Sequence, residues 1–315
     1  MRLLISGGAG HVGSAILRQW PAQFGDEITV VDNIATSRYT SFLHLPRRVR
    51  LIEQDFLNAD LPPLLEGCDA CLHLAALTDA AGSIGRADEY MRVNAEGVNV
   101  VAAACRKVGI PLLWPSTTSI YGAQDAPVDE SVPPWQCSPD SPYARAKFAA
   151  ELILNDIHGP LGLQYTIVRL GTIYGMSTGW RNHTFVNRAS WHAALERPIP
   201  VYRGALNALR PYLYLEDALM SFRRVLDDQR FSGETFNVLS GNHTVAEVVA
   251  CIREFLPETR VVDVDGPVGL NQTGYEVHTA SDYLRFPQNE APRKLREGVM
   301  ATLQALRPDL LPVST

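Results

Sequence analysis

Three features that would link this chain to a membrane, to nucleic acid or to a disulfide framework are missing or scarce. No apolar run reaches the ~18 residues of a membrane-spanning helix, and the apolar start MRLLIS is too short for the core of a signal peptide. Basic residues are in the minority, because 28 Lys and Arg face 34 Asp and Glu. A surface that binds phosphate backbones needs the opposite balance, so we expect neither a membrane span nor a nucleic-acid partner.

Cysteine is scarce as well. The 315 residues contain five cysteines, an odd number scattered through apolar stretches, which does not fit the framework of a secreted protein. Cys68 and Cys71 form a C-x-x-C pair, but no second pair follows at the spacing of a zinc site. We interpret both as core thiols and expect a cytoplasmic protein without a metal.

What the chain does have is short apolar runs that alternate, over its first half, with longer amphipathic segments. The runs RLLIS, ITVVD, VRLIEQD, DACLHLAA, IPLLWPS and YTIVRL are largely apolar, which is typical of parallel strands buried on both faces. Intervening segments such as VGSAILRQW have a helical period. The pattern predicts an α/β fold with a doubly wound parallel (Rossmann) sheet.

The regular alternation of apolar runs and amphipathic segments ends after Gly175, where segments of mixed polarity are separated by loops with Pro and Gly. This change predicts a second, smaller α/β lobe toward the C-terminus. We place a dinucleotide-binding domain at 1–174, with 211–240 returning to it through the strand-like run GETFNVLSG. The substrate-binding lobe would then comprise 175–210 and 241–315.

A glycine-rich loop, SGGAGHVGS, follows the first predicted strand and opens the first helix. Gly7 allows a tight turn, Gly10 lets backbone amides approach a pyrophosphate, and Gly13 allows close packing of helix on strand. Asp32 follows 19 residues beyond Gly13, at the end of the second strand. A carboxylate there accepts hydrogen bonds from the ribose of NAD and repels the 2′-phosphate of NADP. The nearby Arg38 leaves an NADP preference open.

Two further segments follow predicted strands and belong to the same edge of the sheet. Asp55 comes after the third strand, and Leu74, Ala75 and Ala76 come after the fourth. The carboxyl ends of parallel strands form the ligand crevice of such folds, and small side chains there leave room for a flat ring system.

Tyr143 and Lys147 are four residues apart, so a helix places the phenol and the ammonium on one face. A nearby lysine favours the phenolate and would draw the tyrosine pKa down from about 10 toward neutral pH. The oxygen would then accept a proton from a substrate hydroxyl. The hydroxyl-rich segment PSTTSIYG at 115–122 follows the fifth strand and offers a second group to share that proton.

These motifs, in this order, resemble the extended short-chain dehydrogenase/reductase family of nucleotide-sugar epimerases and dehydratases. The resemblance covers nearly the whole chain. The matching segments are SGGAGHVG, VDN, the Asp55-Phe56 pair, HLAA, VNAEG, STTSIYG, Tyr143-x-x-x-Lys147, RLGTIYG, RPIPVY, RPYLYLEDAL and ETFNVLSG. No single one is decisive, but the ordered set is highly specific.

The resemblance implies roles for individual residues. Thr117 takes the position of the catalytic Ser or Thr, Asp55 would meet the adenine, Asn94 the cofactor side of the site, and Lys147 the nicotinamide ribose. Arg210 matches the arginine that holds the substrate's diphosphate, while 175–200 would line the sugar pocket.

The predicted catalytic residues are Tyr143, Lys147 and Thr117. The predicted cofactor contacts are Gly7, Gly10, His11, Val12, Gly13, Asp32, Asn33, Asp55, Phe56, Leu74, Ala75, Ala76, Asn94, Tyr143 and Lys147. The predicted substrate contacts are Thr117, Thr118, Ser119, Thr172, Asn182, His183 and Arg210.

Some positions depart from the family pattern. Dehydratases of the family carry Asp and Glu after the catalytic Thr, where this chain has Thr118 and Ser119. Hydroxyls cannot perform that proton transfer at neutral pH, which disfavours dehydration. Thr172 replaces a usual Asn, and Asn271 or Gln272 stands where a second phosphate-binding arginine is expected, which weakens the predicted grip on the nucleotide.

The favoured function is that of an NAD-dependent nucleotide-sugar epimerase acting at C4 through a 4-keto intermediate. A sugar or ketone dehydrogenase or reductase with net redox turnover is the alternative, and a dinucleotide-sensing protein without catalysis is the third hypothesis. The sugar and its nucleotide stay open, because specificity lies in loops. The family resemblance also implies a homodimer, through helices at about 86–107 and 140–158.

Overall fold

A computed structural model of the protein describes residues 1–157, 162–266 and 274–308. Its twelve strands in chain order are β1 Arg2–Ser6, β2 Glu27–Asp32, β3 Val49–Glu53, β4 Ala70–His73, β5 Leu112–Thr117, β6 Tyr165–Leu170, β7 Thr172–Tyr174, β8 Ile199–Tyr202, β9 Leu209–Tyr214, β10 Thr235–Val238, β11 Gly241–Thr244 and β12 Val261–Val264. Seven of them form one sheet in the order β10-β6-β5-β4-β1-β2-β3. All its neighbouring strands are parallel. The predicted doubly wound sheet is confirmed.

The helices in chain order are α1 His11–Phe24, α2 Leu61–Leu65, α3 Ala87–Tyr90, α4 Gly97–Val108, α5 Pro142–Asp156, α6 Phe185–Ala194, α7 Leu215–Asp227, α8 Val245–Phe255 and α9 Ala291–Leu306. Local sequence explains several ends. Ser141 caps α5 by accepting the amide of Ala144 at 3.1 Å, and Thr244 and Glu247 form a capping box on α8. Within the described residues, none of the helices has the length and apolarity to cross a membrane.

The core of the sheet is built on both of its faces. Along β1, Leu3 and Ile5 pack with α1 and α7 on one face, whereas Leu4 packs with α4 and α5 on the other. This alternation is why three successive residues, Leu3 to Ile5, are apolar rather than every second one. β3 lies at an edge, and its residues are only partly buried or exposed.

A smaller lobe stands beside the sheet. Its strands form a three-stranded sheet, β11-β9-β7, and a two-stranded sheet, β12-β8. Residues of α6, α8 and α9 pack with these strands around a separate apolar cluster that includes Val186, Val248 and Val299. The C-terminal α/β lobe therefore exists in the structure, while the domain limits given above remain a proposal.

One local feature was not predicted. The helix expected at 86–107 is divided, because a π-helical stretch, Met91–Glu96, separates α3 from α4. Such stretches occur often at functional sites, and this one carries Asn94, whose contacts are described below.

Candidate active site

A large cavity lies at the carboxyl ends of the sheet strands and extends beneath the smaller lobe. Its volume is about 750 Å³, which suits a ligand of substantial size. Most of the predicted site residues line this cavity. They come from the glycine loop, from the ends of the sheet strands, and from Tyr143 and Lys147 on α5. The lining residues among those predicted are Gly7, Gly10, His11, Val12, Gly13, Asp32, Asn33, Asp55, Phe56, Leu74, Ala75, Ala76, Thr117, Ser119, Tyr143, Lys147, Thr172, His183 and Arg210.

The glycine loop is built so closely that side chains would not fit. Gly7 has φ +79°, and a Cβ there would lie 2.5 Å from the amide nitrogen of Ala75. A Cβ on Gly13 would lie 2.6 Å from the carbonyl oxygen of Gly7. Gly10 precedes α1 and supplies no side-chain cap, so the first-turn amides of this long helix are available to an anion. The loop therefore fits a dinucleotide pyrophosphate.

Asp32 is held at the end of β2 by two backbone donors. Its Oδ2 accepts the amide of Ala9 at 2.8 Å, and its Oδ1 accepts the amide of Ile34 at 2.8 Å. Each carboxylate oxygen retains a further lone pair, and the residue lines the cavity. This arrangement fits the recognition of ribose hydroxyls. Asn33 and Asp55 adjoin it, joined by a hydrogen bond of 3.4 Å from Asn33 Nδ2 to Asp55 Oδ2.

His11 packs against the segment that covers the glycine loop. Its Nδ1 lies 2.9 Å from the hydroxyl of Ser177, and Nε2 is buried without a hydrogen-bond partner. Burial lowers the pKa of His11 well below its usual value, and the Arg181 charge adds to this effect. The ring is therefore neutral at pH 7.

Tyr143 and Thr117 come together from α5 and the end of β5. Thr117 and Tyr143 both line the cavity, and the Thr117 hydroxyl lies near enough to the Tyr143 phenol to influence its pKa. Burial raises the pKa of Tyr143, while the charge of Arg181 and the Thr117 hydrogen bond oppose that rise. The expectation that Lys147 would lower this pKa in the free protein is wrong, because the positive charge that acts on the phenol belongs to Arg181.

Lys147 is 4% exposed, and its ammonium points back into the sheet. Nζ donates to the carbonyl oxygen of Pro115 at 2.8 Å and lies 4.5 Å from the ring centroid of Trp114. Burial lowers the pKa of Lys147 to about 7, an effect that Glu151 opposes. Two of the three ammonium protons remain for a ligand in the cavity.

Glu151 is itself tied to the sheet. Arg169 on β6 donates to it through Nη2 at 2.7 Å and through Nε at 3.0 Å, and both residues are buried. Tyr143, Lys147 and Glu151 thus form one stripe along α5, each four positions after the last.

Three predicted site residues are not among those that line the cavity. Asn94 is buried, and its side-chain amide forms two hydrogen bonds of 2.8 Å with the backbone of Leu77, so it shapes the loop after β4. Thr118 is buried with its hydroxyl 3.3 Å from the carbonyl oxygen of Leu170. Asn182 is exposed. The predicted substitutions at Asn271 and Gln272 lie outside the described residues.

Two arginines in the cavity were missed by sequence reasoning. Arg181 precedes α6, and Arg188 lies on α6 with its guanidinium carbon 5.9 Å from the ring centroid of Tyr202. The Nε atoms of both arginines are buried without a hydrogen-bond partner. The motif GWRNHTFVNR offered the only signal, a pair of arginines seven residues apart in the segment expected to line the sugar pocket.

A glycine loop at a helix start, a carboxylate at the end of β2 and a tyrosine–lysine helix in one cavity define a dinucleotide-dependent enzyme. The sequence model of the NAD dependent epimerase/dehydratase family matches residues 3–238, and the chain belongs to that family. Its cofactor is NAD, which the geometry of the glycine loop and Asp32 fits.

Individual relatives bear several activities in their names. An uncharacterised UDP-glucose epimerase of Bacillus subtilis (strain 168) is 27% identical over 264 residues, which cover 81% of this chain and 82% of the relative. A dTDP-glucose 4,6-dehydratase of Streptomyces niveus is 30% identical over 255 residues, 76% of this chain and 73% of the relative.

Among solved structures, a UDP-N-acetylglucosamine 4-epimerase from Methanobrevibacter ruminantium M1 superposes with a TM-score of 0.84 at 22% identity, covering 96% of this chain and 98% of the other. A UDP-glucuronic acid 4-epimerase from Bacillus cereus, in complex with UDP-glucuronic acid and NAD, superposes with a TM-score of 0.83 at 20% identity, covering 98% and 99%. These similarities establish the shared fold.

Proposed function

We propose that the protein is an NAD-dependent nucleotide-sugar epimerase that inverts C4 of the sugar. The observation that carries the proposal is that Tyr143 and Thr117 line the same cavity as the glycine loop, with the Thr117 hydroxyl near enough to the phenol to influence its pKa. It supplies a proton acceptor within the reach of a ligand that shares the cavity with the cofactor. Relatives named as UDP-glucose epimerases over about four-fifths of the chain agree with this reaction.

Bound NAD supplies the hydride acceptor in the first half of the reaction and the hydride donor in the second. Tyr143 must be the phenolate to accept the proton of the 4-hydroxyl while C4 is oxidised to a ketone, so the reaction requires that its pKa, raised by burial in the unliganded protein, falls in the complex; it returns the proton when the ketone is reduced on its other face. Thr117 hydrogen-bonds to the phenol and to the sugar oxygen, which keeps the two oxygens in line. Lys147, held by the Pro115 carbonyl, would donate its remaining protons to the cofactor ribose.

The end of β5 favours epimerisation over loss of water. Dehydration needs an acid and a base beside the catalytic threonine, whereas this chain has Thr118 and Ser119 there. Thr118 is buried against the carbonyl oxygen of Leu170, and the hydroxyl of Ser119 does not ionise at neutral pH. The 30% identity to a dehydratase therefore carries less weight than these two positions.

The smaller lobe would hold the nucleotide part of the substrate. Arg188 and Arg210 line the cavity on the lobe side, with Tyr202 and Tyr212 beside them. Guanidinium groups are the natural partners of a diphosphate. Arg188 thereby offers the second arginine that the sequence lacks near 271–272.

The test is a product analysis after a thermal-shift screen. UDP-, dTDP-, GDP- and CDP-sugars are screened with NAD present, because a substrate raises the melting temperature according to its occupancy. Each stabilising sugar is then incubated with the protein and analysed by NMR for the C4 epimer. We expect an equilibrium mixture of two epimers without steady-state change in absorbance at 340 nm. A continuous absorbance change with added cofactor would instead establish the net oxidoreductase.

A further inference from the structure

Glu151 and Arg169 form a buried ion pair one helical turn from Lys147. Arg169 donates to the carboxylate through Nη2 at 2.7 Å and through Nε at 3.0 Å, and Glu151 and Arg169 are 2% and 7% exposed. Glu151 and Lys147 are four positions apart on α5, a spacing that brings their Cβ atoms to about 5 to 6 Å on one face of a helix. The carboxylate and the ammonium therefore belong to the same buried stripe.

The strands beneath α5 bring the contacts of these two side chains together. Lys147 Nζ donates to the carbonyl oxygen of Pro115 on β5 at 2.8 Å, and Glu151 is bound to β6 through Arg169. Ser116, the residue after Pro115, lies opposite Arg169 where β5 and β6 pair. The two contacts are thus one residue apart along neighbouring strands, and Lys147 and Glu151 face the same part of the sheet.

Arg169 is itself fixed on its far side. Its Nη1 donates to the phenol oxygen of Tyr121 at 2.9 Å, and that phenol donates to Asn237 Oδ1 at 3.0 Å. A buried ion pair of this kind is weak evidence for stability, because apolar residues of similar volume often serve as well. Its place beside a lysine that lines the cavity points instead to the charge of that lysine.

The groups around the ammonium and the ion pair show which charge matters. The titratable and charged side chains near them are His73 of β4, Tyr121, Cys137, Tyr143 and Glu151 of α5, and Tyr165 and Arg169 of β6.

Among these groups, burial lowers the pKa of His73 to about 3 and raises the pKa of each phenol and of the Cys137 thiol. All of them are therefore neutral at pH 7, which leaves Glu151 as the anion of the set. Burial also lowers the pKa of Lys147 to about 7, and the Glu151 charge opposes that fall.

We propose that Glu151, fixed by Arg169, is a positioning residue that keeps the Lys147 ammonium charged and ready to bind the cofactor ribose. The inference rests on the role of Lys147 in the proposed function. Without the carboxylate, the buried lysine would give up its proton near neutral pH. A neutral amine makes weaker hydrogen bonds than an ammonium, so the cofactor would lose a strong donor.

The first measurement titrates Lys147 directly in the protein without NAD. The lysines of the chain are Lys107, Lys147 and Lys294, so carbon-13 at the lysine Cε gives few NMR signals, which Lys107→Met and Lys147→Met assign. We expect Glu151→Gln to lower the midpoint of Lys147 by about one pH unit or more, because it removes the opposite charge and leaves that of Arg169.

The second measurement is NAD affinity by calorimetry at two pH values. A midpoint that falls from about 7 to about 6 lowers the charged fraction at pH 7 from about one half to about one tenth. NAD should then bind about fivefold more weakly to Glu151→Gln at pH 7, and the difference should shrink to about twofold at pH 6. Asp156→Asn removes an exposed carboxylate from the same helix and should change neither readout.

A second variant covers the case in which Glu151→Gln does not fold. Glu151→Met combined with Arg169→Met removes both charges and leaves none unpaired, a change that buried ion pairs often tolerate. The midpoint of Lys147 should fall here too, by less than in Glu151→Gln, because no unbalanced guanidinium remains.

An unmoved Lys147 midpoint in either folded variant would overturn the inference, even with a lower melting temperature, because the pair would then serve the fold alone. A lowered midpoint with unchanged NAD affinity would overturn it as well, since the charge would not serve the cofactor. Neither readout involves turnover. A protein that binds NAD but epimerises no sugar would refute the proposed function and leave both measurements valid.

Discussion

Lys147→Met tests how much the buried, charged ammonium of Lys147 destabilises the folded protein. Burial lowers the pKa of Lys147 from 10.5 to about 7. One unit of pKa corresponds to about 1.4 kcal/mol, so the full difference amounts to about 5 kcal/mol against the charged form in the folded chain. Methionine has a similar length and no charge, and it removes this penalty together with the Pro115 hydrogen bond.

The sign of the pH dependence follows from the direction of the pKa. Below pH 7 the lysine is charged in both the folded and the unfolded chain, and the penalty is present in full. Between pH 7 and 10.5 the unfolded chain keeps a proton that the folded chain has lost, so the free energy of unfolding rises with pH. The methionine variant has no such contribution. Its stability relative to the unchanged protein should therefore fall by about 1.4 kcal/mol per pH unit.

The assay is urea unfolding at pH 7, 8 and 9 without NAD, followed by tryptophan fluorescence. Lys107→Met, at an exposed position of α4, controls for the loss of one positive charge. A difference between Lys147→Met and the unchanged protein that stays constant over this pH range would refute the account of the buried ammonium.

Three further predictions concern the cofactor, the base and assembly. NAD should bind about tenfold or more tightly than NADP in equilibrium titration, because the Asp32 carboxylate would face the 2′-phosphate; tighter NADP binding would promote Arg38 to that role. Tyr143→Phe should keep NAD affinity and lower kcat by about 10² to 10⁴, and near-normal turnover would show that the phenol is not the base. Light scattering should show a homodimer that Leu152→Arg dissociates, since Leu152 on α5 and Val100 on α4 are 41% and 37% exposed; a monomer at micromolar concentration would contradict this.

The sheet and the glycine loop were predictable because their signals are local. Strands buried on both faces have runs of successive apolar residues, and Gly7 and Gly13 lie where a Cβ would collide with backbone. Asp32 follows from the spacing of the same motif. A single stretch of sequence carries each of these features, and the family resemblance extends the same logic to Thr117.

The missed features depend on tertiary contacts. Arg181 shares the cavity with Tyr143 because the chain between β7 and α6 returns over the glycine loop, where Gly179 donates its amide to the Ser14 hydroxyl at 2.8 Å. The helical spacing of Tyr143 and Lys147 predicted their shared face. It gave no sign that the Pro115 carbonyl would take one ammonium proton, or that the backbone of Leu77 would satisfy Asn94.

The central claim is that C4 is inverted through a ketone and that the enzyme returns the same hydride to it. Labelling C4 of the substrate with deuterium tests this claim most directly. A UDP-sugar that stabilises the protein, carrying deuterium at C4, is incubated with enzyme in ordinary water, and both epimers are analysed by NMR and mass spectrometry. We predict that the deuterium stays at C4 in substrate and product, with no net reduction of NAD. Loss of the label to solvent, accumulation of reduced cofactor, or a product lighter by one water would contradict the epimerase.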